Sequence, residues 1–407
     1  MTATRASTEI DRGILRAMHD VDAHEMTPTH LWGEVFGPAM GRIGVLAEPI
    51  FRSVGKDNMV HPELAGDTAE ITGVSVWETK GSVAPGAFDF TRRLAVLDQM
   101  GIERQLVFPT CVLTALWMIE GQNLQRFMDN DMSIEDVREL GWAGLREYNQ
   151  WAIRFSDFGG GRLRPVAYLP QVDTPEALIA EARRFIDAGI RAVHLNVGRP
   201  PGGRSPAHPD LDPFWQLLAT HNICCTVHVG GEVDFMSSSE WVNAPAFALG
   251  KAQSHEIGLE PYSFATLHLA QSNWLITMVL GGVFERHPAL RLGMLEVGCA
   301  WLGPLADHLD MWARDVYASR LAPFISSAPS DYIARNVRVT AFNDFERPDE
   351  YILAHPKVAE SICYSSDYPH VEGGKHSAER MFDRIAPLGA GVVQKFFREN
   401  ATLLLPD

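Results

Sequence analysis

Short apolar runs alternate along the chain with polar or Gly/Pro turns and longer segments of helical period. That alternation predicts βα units around a parallel sheet. Eight runs can be counted: residues 19–24 (HDVDAH), 104–109 (RQLVFP), 163–170 (LRPVAYLP), 190–197 (IRAVHLNV), 223–229 (ICCTVHV), 290–296 (LRLGMLE), 336–342 (NVRVTAF) and 362–367 (ICYSSD). Between them the spacing predicts helices over 90–100, with Gly101 as its stop, and over 174–188, opening Thr-Pro-Glu and ending before Gly189. Further helices are predicted over 266–286, 378–386 and 392–399. Eight such units fit a closed (β/α)8 TIM barrel with long insertions at its C-terminal face. A doubly wound sheet would need a Gly-rich turn after its first strand, and none follows His24. Two stretches interrupt the repeat, 27–87 and 198–209 (GRPPGGRSPAHP). Both follow strand ends at the active face, so they are expected to wall or cover a pocket, 27–87 as an insertion over the site. The whole chain, 1–407, is read as one domain.

Charge and composition narrow the partners. The net charge is −16 with no basic stripe, which argues against nucleic acid. Hydrophobic residues make up 46% of the chain and charged residues 21%, ordinary for a folded protein with a full core. The five cysteines, Cys111, Cys224, Cys225, Cys299 and Cys363, form no CxxC pair, so neither a disulfide framework nor a thiolate zinc site is expected. The N-terminus has no apolar core of a signal peptide, and the most apolar stretch, around 274–284, is too short to span a bilayer. A cytoplasmic protein without membrane contact is expected, acting on a small molecule.

The polar residues fall at the C-terminal ends of the apolar runs. Run one ends in Asp22-Ala23-His24-Glu25, run five in His228, run six in Glu296, and run eight in Asp367 with His370 just beyond. Parallel closure gathers those ends on one rim. Imidazoles and carboxylates together suit zinc, manganese or iron rather than calcium or magnesium. A lone His on a strand is more often a hydrogen-bonded core residue than a ligand, and a lone Asp after a strand more often caps a helix. Four coincidences on one rim outweigh that reading. His194 lies two residues before Asn196 and is better read as filling a barrel layer. His268, opening the segment 266–286, is balanced between a place at the site and burial on a helix surface.

These positions carry a family resemblance. VDAHE near the start, TVHVGG at 226–231, GGVFERHPALRLGMLEVGCAWLGPLADHLD at 281–310, CYSSDYPHVEGG at 363–374 and KFFRENATLLL at 395–405 resemble, in order, the signatures of the amidohydrolase-2 family. That family includes aminocarboxymuconate-semialdehyde decarboxylase and related decarboxylases and hydrolases. The resemblance implies a barrel and a divalent metal. His24 matches the first histidine of the family's HxH pair, His228 the fifth-strand ligand, and Asp367 the carboxylate ending the eighth strand. The second histidine of the pair falls at Met26, and Glu25 stands beside the gap as a replacement ligand. Where some decarboxylases carry a catalytic histidine, this chain has Glu296.

Two mechanisms follow from the resemblance. In the first, His24, His228 and Asp367 hold one ion, zinc in the first instance. Asp22 orients His24, and Glu296, Asp367 or His370 moves protons in a hydrolysis or decarboxylation of a small carboxylated or amide-type substrate. In the second, Glu25, Glu296 and His268 complete a second position, and two irons, or iron with manganese, run a non-heme monooxygenase reaction. A non-catalytic paralogous subunit is the third reading, and the retained trio argues against it. The apolar segment 266–286 suits a subunit interface, so a homo-oligomer or a hetero-oligomer with a paralogue is expected.

Overall fold

A computed structural model describes residues 11–54, 57–120, 127, 132–230, 244–247 and 261–407. All eight apolar runs carry strands, and every pairing between them is parallel. The strands are β1 (Met18–Asp20), β2 (Ile102–Val107), β3 (Leu163–Pro165), β4 (Ala167–Tyr168), β5 (Ala192–His194), β6 (Cys224–His228), β7 (Arg291–Leu295), β8 (Val337–Thr340) and β9 (Ile362–Cys363). β3 and β4 are one stave interrupted at Val166, whose amide still donates to Val107 (2.9 Å). Strand order runs β1-β2-β3 and then β4 to β9. Bonds from the Asp367 amide to the Asp22 carbonyl (2.8 Å) and from the His24 amide to the Tyr368 carbonyl (2.7 Å) join the last stave to the first. Eight parallel staves closed in this way are the TIM barrel that the alternation predicts.

Local chemistry sets the helix limits. Asp89 caps Phe90–Met100 by accepting from Thr91 N, and Gly101 at φ 75° ends it. Thr174 caps Pro175–Asp187. The single helix expected over 266–286 is instead two, Leu269–Leu280 and Val283–Arg286, and a separate helix, Pro261–Thr266, ends where it was to begin. The last break falls at Gly281-Gly282, where Gly282 adopts φ 72° and a Cβ would meet the Phe324 carbonyl at 2.4 Å. The 27–87 stretch is not a bare loop. It contains the helix Pro38–Val54, which packs on Ile134–Phe155, and its two ends are tied to the rim. Met26 N donates to Ala87 O (2.9 Å), Gly81 N to Pro369 O (2.9 Å), and the Tyr368 hydroxyl to Pro85 O. The 198–209 loop lies against the start of the helix Pro175–Asp187, where Gly203 backs onto the Asp173 carbonyl.

The barrel interior is filled by Val21, Leu106, Phe108, Val166, Ala192, Cys224, Leu295 and Cys363, with Ala401, Leu404 and Leu405 of the C-terminal segment closing its floor. Arginines from five staves reach that segment's backbone: Arg104 to Leu405 O (3.1 Å), Arg164 to Pro406 O, Arg191 to Asp407 O (3.4 Å), Arg291 to Leu403 O (2.9 Å) and Arg338 to Asn400 O (2.7 Å). The floor is thereby fixed and the opposite rim is left for chemistry. All five cysteines are buried and unpaired. Among the described residues no helix is long and apolar enough to cross a membrane.

Candidate metal centre

Behind the rim lies a buried polar frame. The Arg93 guanidinium donates to the carbonyls of His24 (3.1 Å) and Tyr368 (3.2 Å) and to Gln105 Oε1 (3.0 Å). Gln105 donates in turn to Asp20 Oδ2 (2.7 Å), which also accepts from the Ser366 hydroxyl (2.5 Å). Every polar group is satisfied, so the frame locks the ends of β1 and β9, where Asp22, His24 and Asp367 project. Burial still raises the Asp20 carboxyl to about 6, and the bonds from Ser366 and Gln105 oppose that rise.

Six side chains converge in front of the frame. His24 Nε2 lies 3.5 Å from Asp22 Oδ1, 3.4 Å from Asp367 Oδ1 and 3.6 Å from Glu296 Oε2. His228 Nε2 lies 3.3 Å from Asp22 Oδ1 and 3.0 Å from Glu296 Oε2. His370 Nδ1 stands 3.1 Å from Asp367 Oδ1 and 3.8 Å from Glu296 Oε1. The His24 ring stacks on His370 with centroids 3.8 Å apart, and His228 stacks on Phe108 at 4.6 Å. Glu296 and Asp367 both adopt left-handed backbone, at φ 54° and 51°, which costs a residue with a side chain of this size. The chain spends that strain at the two strand ends that deliver carboxylates to the centre.

The donor set fits a divalent cation. His24 Nε2 and Asp367 Oδ1 are buried without a well-formed hydrogen bond, although each is surrounded by polar groups. Donors held about 2.0–2.2 Å from one ion stand roughly 3.0–3.6 Å from each other, the spacing found here. Three carboxylates at one buried point also require positive charge. Burial opposes an imidazolium at His228, but the Asp22 and Glu296 carboxylates win and push its pKa well up. Burial and the neighbouring Glu296 push Asp367 well up too. Burial would also raise Glu296, yet the His228 imidazolium holds it below the usual carboxylate range.

Among the described residues two groups of donors come together, Asp22 with His24 and His228, and His24 with Glu296, Asp367 and His370. The structure therefore places His24, His228, Glu296, Asp367 and His370 in one cluster and brings in Asp22 directly. Glu25 does not join them. Its oxygens accept from Thr110 N (3.0 Å), Cys111 N (2.8 Å) and the Thr27 hydroxyl (3.1 Å), so it holds a turn beside the site. Its carboxyl is raised to about 7 by burial, against those bonds. His268 also stays outside the donor groups, its ring stacked on Trp301 at 6.1 Å. Met26 is buried in the outer core. On the first strand, Asp22 and His24 therefore face the donor groups together, while Met26 does not. Thr110 was missed. Its hydroxyl bridges His24 Nδ1 (3.1 Å) and His370 Nε2 (3.2 Å), and a polar residue just past the 104–109 run was the available signal.

Sequence comparison settles the family. The model of the amidohydrolase family matches residues 134–406. The chain belongs to the amidohydrolases. The match marks it as an enzyme of the amidohydrolase type. None of the curated proteins matches it. Among solved structures this amidohydrolase is similar to an amidohydrolase from Mycobacterium avium subsp. paratuberculosis (TM-score 0.60, 18% identity, 96% of this chain and 98% of the other covered). It is also similar to 2,6-dihydroxybenzoate decarboxylase from Rhizobium (0.54, 16%, 96% and 98%). A third is 5-carboxyvanillate decarboxylase from Novosphingobium aromaticivorans, solved with bound manganese (0.53, 17%, 96% and 97%). At these identities the likeness establishes the shared barrel.

Proposed function

We propose that this amidohydrolase removes a carboxyl group as CO2 from a small carboxylated aromatic substrate, with one divalent ion, zinc or manganese, held by Asp22, His24, His228 and Asp367. The observation that carries the reading is that two donor groups, Asp22 with His24 and His228, and His24 with Glu296, Asp367 and His370, meet at His24, whose Nε2 is buried without a well-formed hydrogen bond. The names of the barrel's structural neighbours, two of which are decarboxylases of hydroxylated benzoates, favour the reaction.

Depth divides the roles. The Asp22 side chain is 1% exposed, whereas Glu296 is 13% and His370 12% exposed. The deep groups hold the ion. Glu296 and His370 stand nearer the mouth and touch each other as well as the ligands, so they handle the proton. The bound ion supplies the Lewis acidity that anchors and polarises substrate oxygens. The C–C bond to the carboxyl breaks, its electron pair stays on the ring carbon, and a proton delivered through His370 and Glu296 takes the vacated place. One carboxylate and one proton give one CO2 and one C–H bond, with no change of redox state. The dinuclear oxygenase reading has no comparable support, because Glu25 is engaged by the 110–111 turn and His268 stands on Trp301.

The test is turnover of the zinc- or manganese-loaded protein in D2O with a panel of ortho-hydroxylated benzoates. One CO2 released per deuterium placed on the ring carbon is expected. Hydrolysis of amides or lactones with no CO2 from any carboxylate, or turnover that consumes O2, would contradict the reading.

A further inference from the structure

Thr110 follows β2 on a turn whose amides Glu25 fixes from 85 residues away, through Thr110 N and Cys111 N. The fixed turn sets the Thr110 hydroxyl between the two stacked imidazoles, 3.1 Å from His24 Nδ1 and 3.2 Å from His370 Nε2. A hydroxyl has one proton to give, and a neutral imidazole has one donor nitrogen and one acceptor. A His–Thr–His chain of neutral groups can therefore run in only one of two directions.

We propose that Thr110 is a positioning residue whose hydroxyl fixes complementary tautomers on His24 and His370, so that the proton of His370 faces the reacting side. The inference rests on the reading that His24 binds the ion through Nε2. With that lone pair engaged, the His24 proton sits on Nδ1 and is donated to Thr110 Oγ1. The hydroxyl proton then has one acceptor left, His370 Nε2. The proton of His370 is thereby placed on Nδ1, 3.1 Å from Asp367 Oδ1 and 3.8 Å from Glu296 Oε1. In the opposite direction His370 would turn a lone pair toward Asp367 and His24 would lose its ligand nitrogen. The arrangement also gives Glu25 a purpose: its carboxylate places the relay, which explains a buried acid that stands beside the centre without joining it.

The experiment is nitrogen-15 NMR of histidine-labelled full-length protein loaded with zinc at about pH 8, where neutral imidazoles prevail. His24→Gln and His370→Gln variants assign the resonances. In the wild type, His370 should show a single tautomer protonated at Nδ1, and His24 a zinc-bound Nε2. Thr110→Val, which keeps the shape and removes the hydroxyl, should still bind one zinc but give mixed tautomers at His370. Its kcat should fall about tenfold or more with KM nearly unchanged, and Thr110→Ser should restore both signals. A zinc-loaded wild type with His370 protonated at Nε2 would overturn the inference alone. So would a Thr110→Val protein that keeps the single Nδ1 tautomer. A wild type that binds no zinc or manganese at His24 would overturn the reading of the site itself, and the inference with it.

Discussion

Glu296 is held in a backbone conformation that few residues with side chains tolerate, and it points a part-buried carboxylate at His228. Strain of this kind gathers at functional sites. Glu296→Gln preserves shape and removes the negative charge. It is expected to keep one ion per chain and to lose turnover roughly a hundredfold or more, measured as metal content beside CO2 release. Lost metal with this change would make Glu296 a ligand instead. His19 offers a test of electrostatics away from the centre. It is buried in β1 with no well-formed hydrogen bond at either ring nitrogen, its Nε2 3.6 Å from Glu103 Oε2, and burial, aided by Arg398 and Arg104 and opposed by Glu103, lowers its pKa to about 4. The unfolded chain takes up this proton below about pH 6.5, and the folded protein only near 4. Stability is therefore lost as pH falls through that window, by up to about 3 kcal/mol. His19→Leu should gain that amount relative to wild type between pH 6.5 and 4 in urea titrations. Asp20, raised to about 6, works in the opposite sense but is common to both proteins and leaves the difference unchanged.

At the scale of elements, the site is built where strands end, and the turns after them are fixed by carboxylates. Glu346 accepts from the amides of Cys299 (2.9 Å), Ala300 (3.1 Å) and Phe342 (3.0 Å) and so holds the turn between Glu296 and the helix Leu302–Met311. Gly298, at φ 74°, lets that carboxylate approach, since a Cβ there would stand 2.6 Å from Glu346 Oε1. Gly298→Ala should displace Glu346 and destabilise the protein by about 1–3 kcal/mol, read from the denaturant midpoint. It should also slow turnover more than it raises KM. The eight staves were legible in the sequence because a barrel strand is a short apolar run with a polar end. His24, His228, Glu296 and Asp367 stood out for the same reason. Asp22 was legible only as a helper to His24, because nothing in VDAHE tells which pair of alternate residues faces the centre. Glu25 stands beside the donor groups and not in them because the amides that claim it come from residues 110 and 111, a pairing that only the closed fold reveals. The 266–286 helix was drawn too long because its apolar surface outweighed the stop signal of Gly281-Gly282.

Across the whole molecule, stability and chemistry occupy opposite ends of one barrel. The C-terminal segment closes the floor with Ala401, Leu404 and Leu405, and arginines of five staves grip its backbone. Leu404→Ala should cost about 2–5 kcal/mol in unfolding free energy while leaving turnover per folded molecule unchanged. At the rim, each chain is proposed to hold one divalent ion with Asp22 among its ligands. Elemental analysis of the purified wild type and of Asp22→Ala, after identical exposure to zinc or manganese and removal of excess, tests it most directly. One ion per wild-type chain and a small fraction of that in Asp22→Ala is the predicted result. Two ions per wild-type chain, or full occupancy in Asp22→Ala, would contradict it.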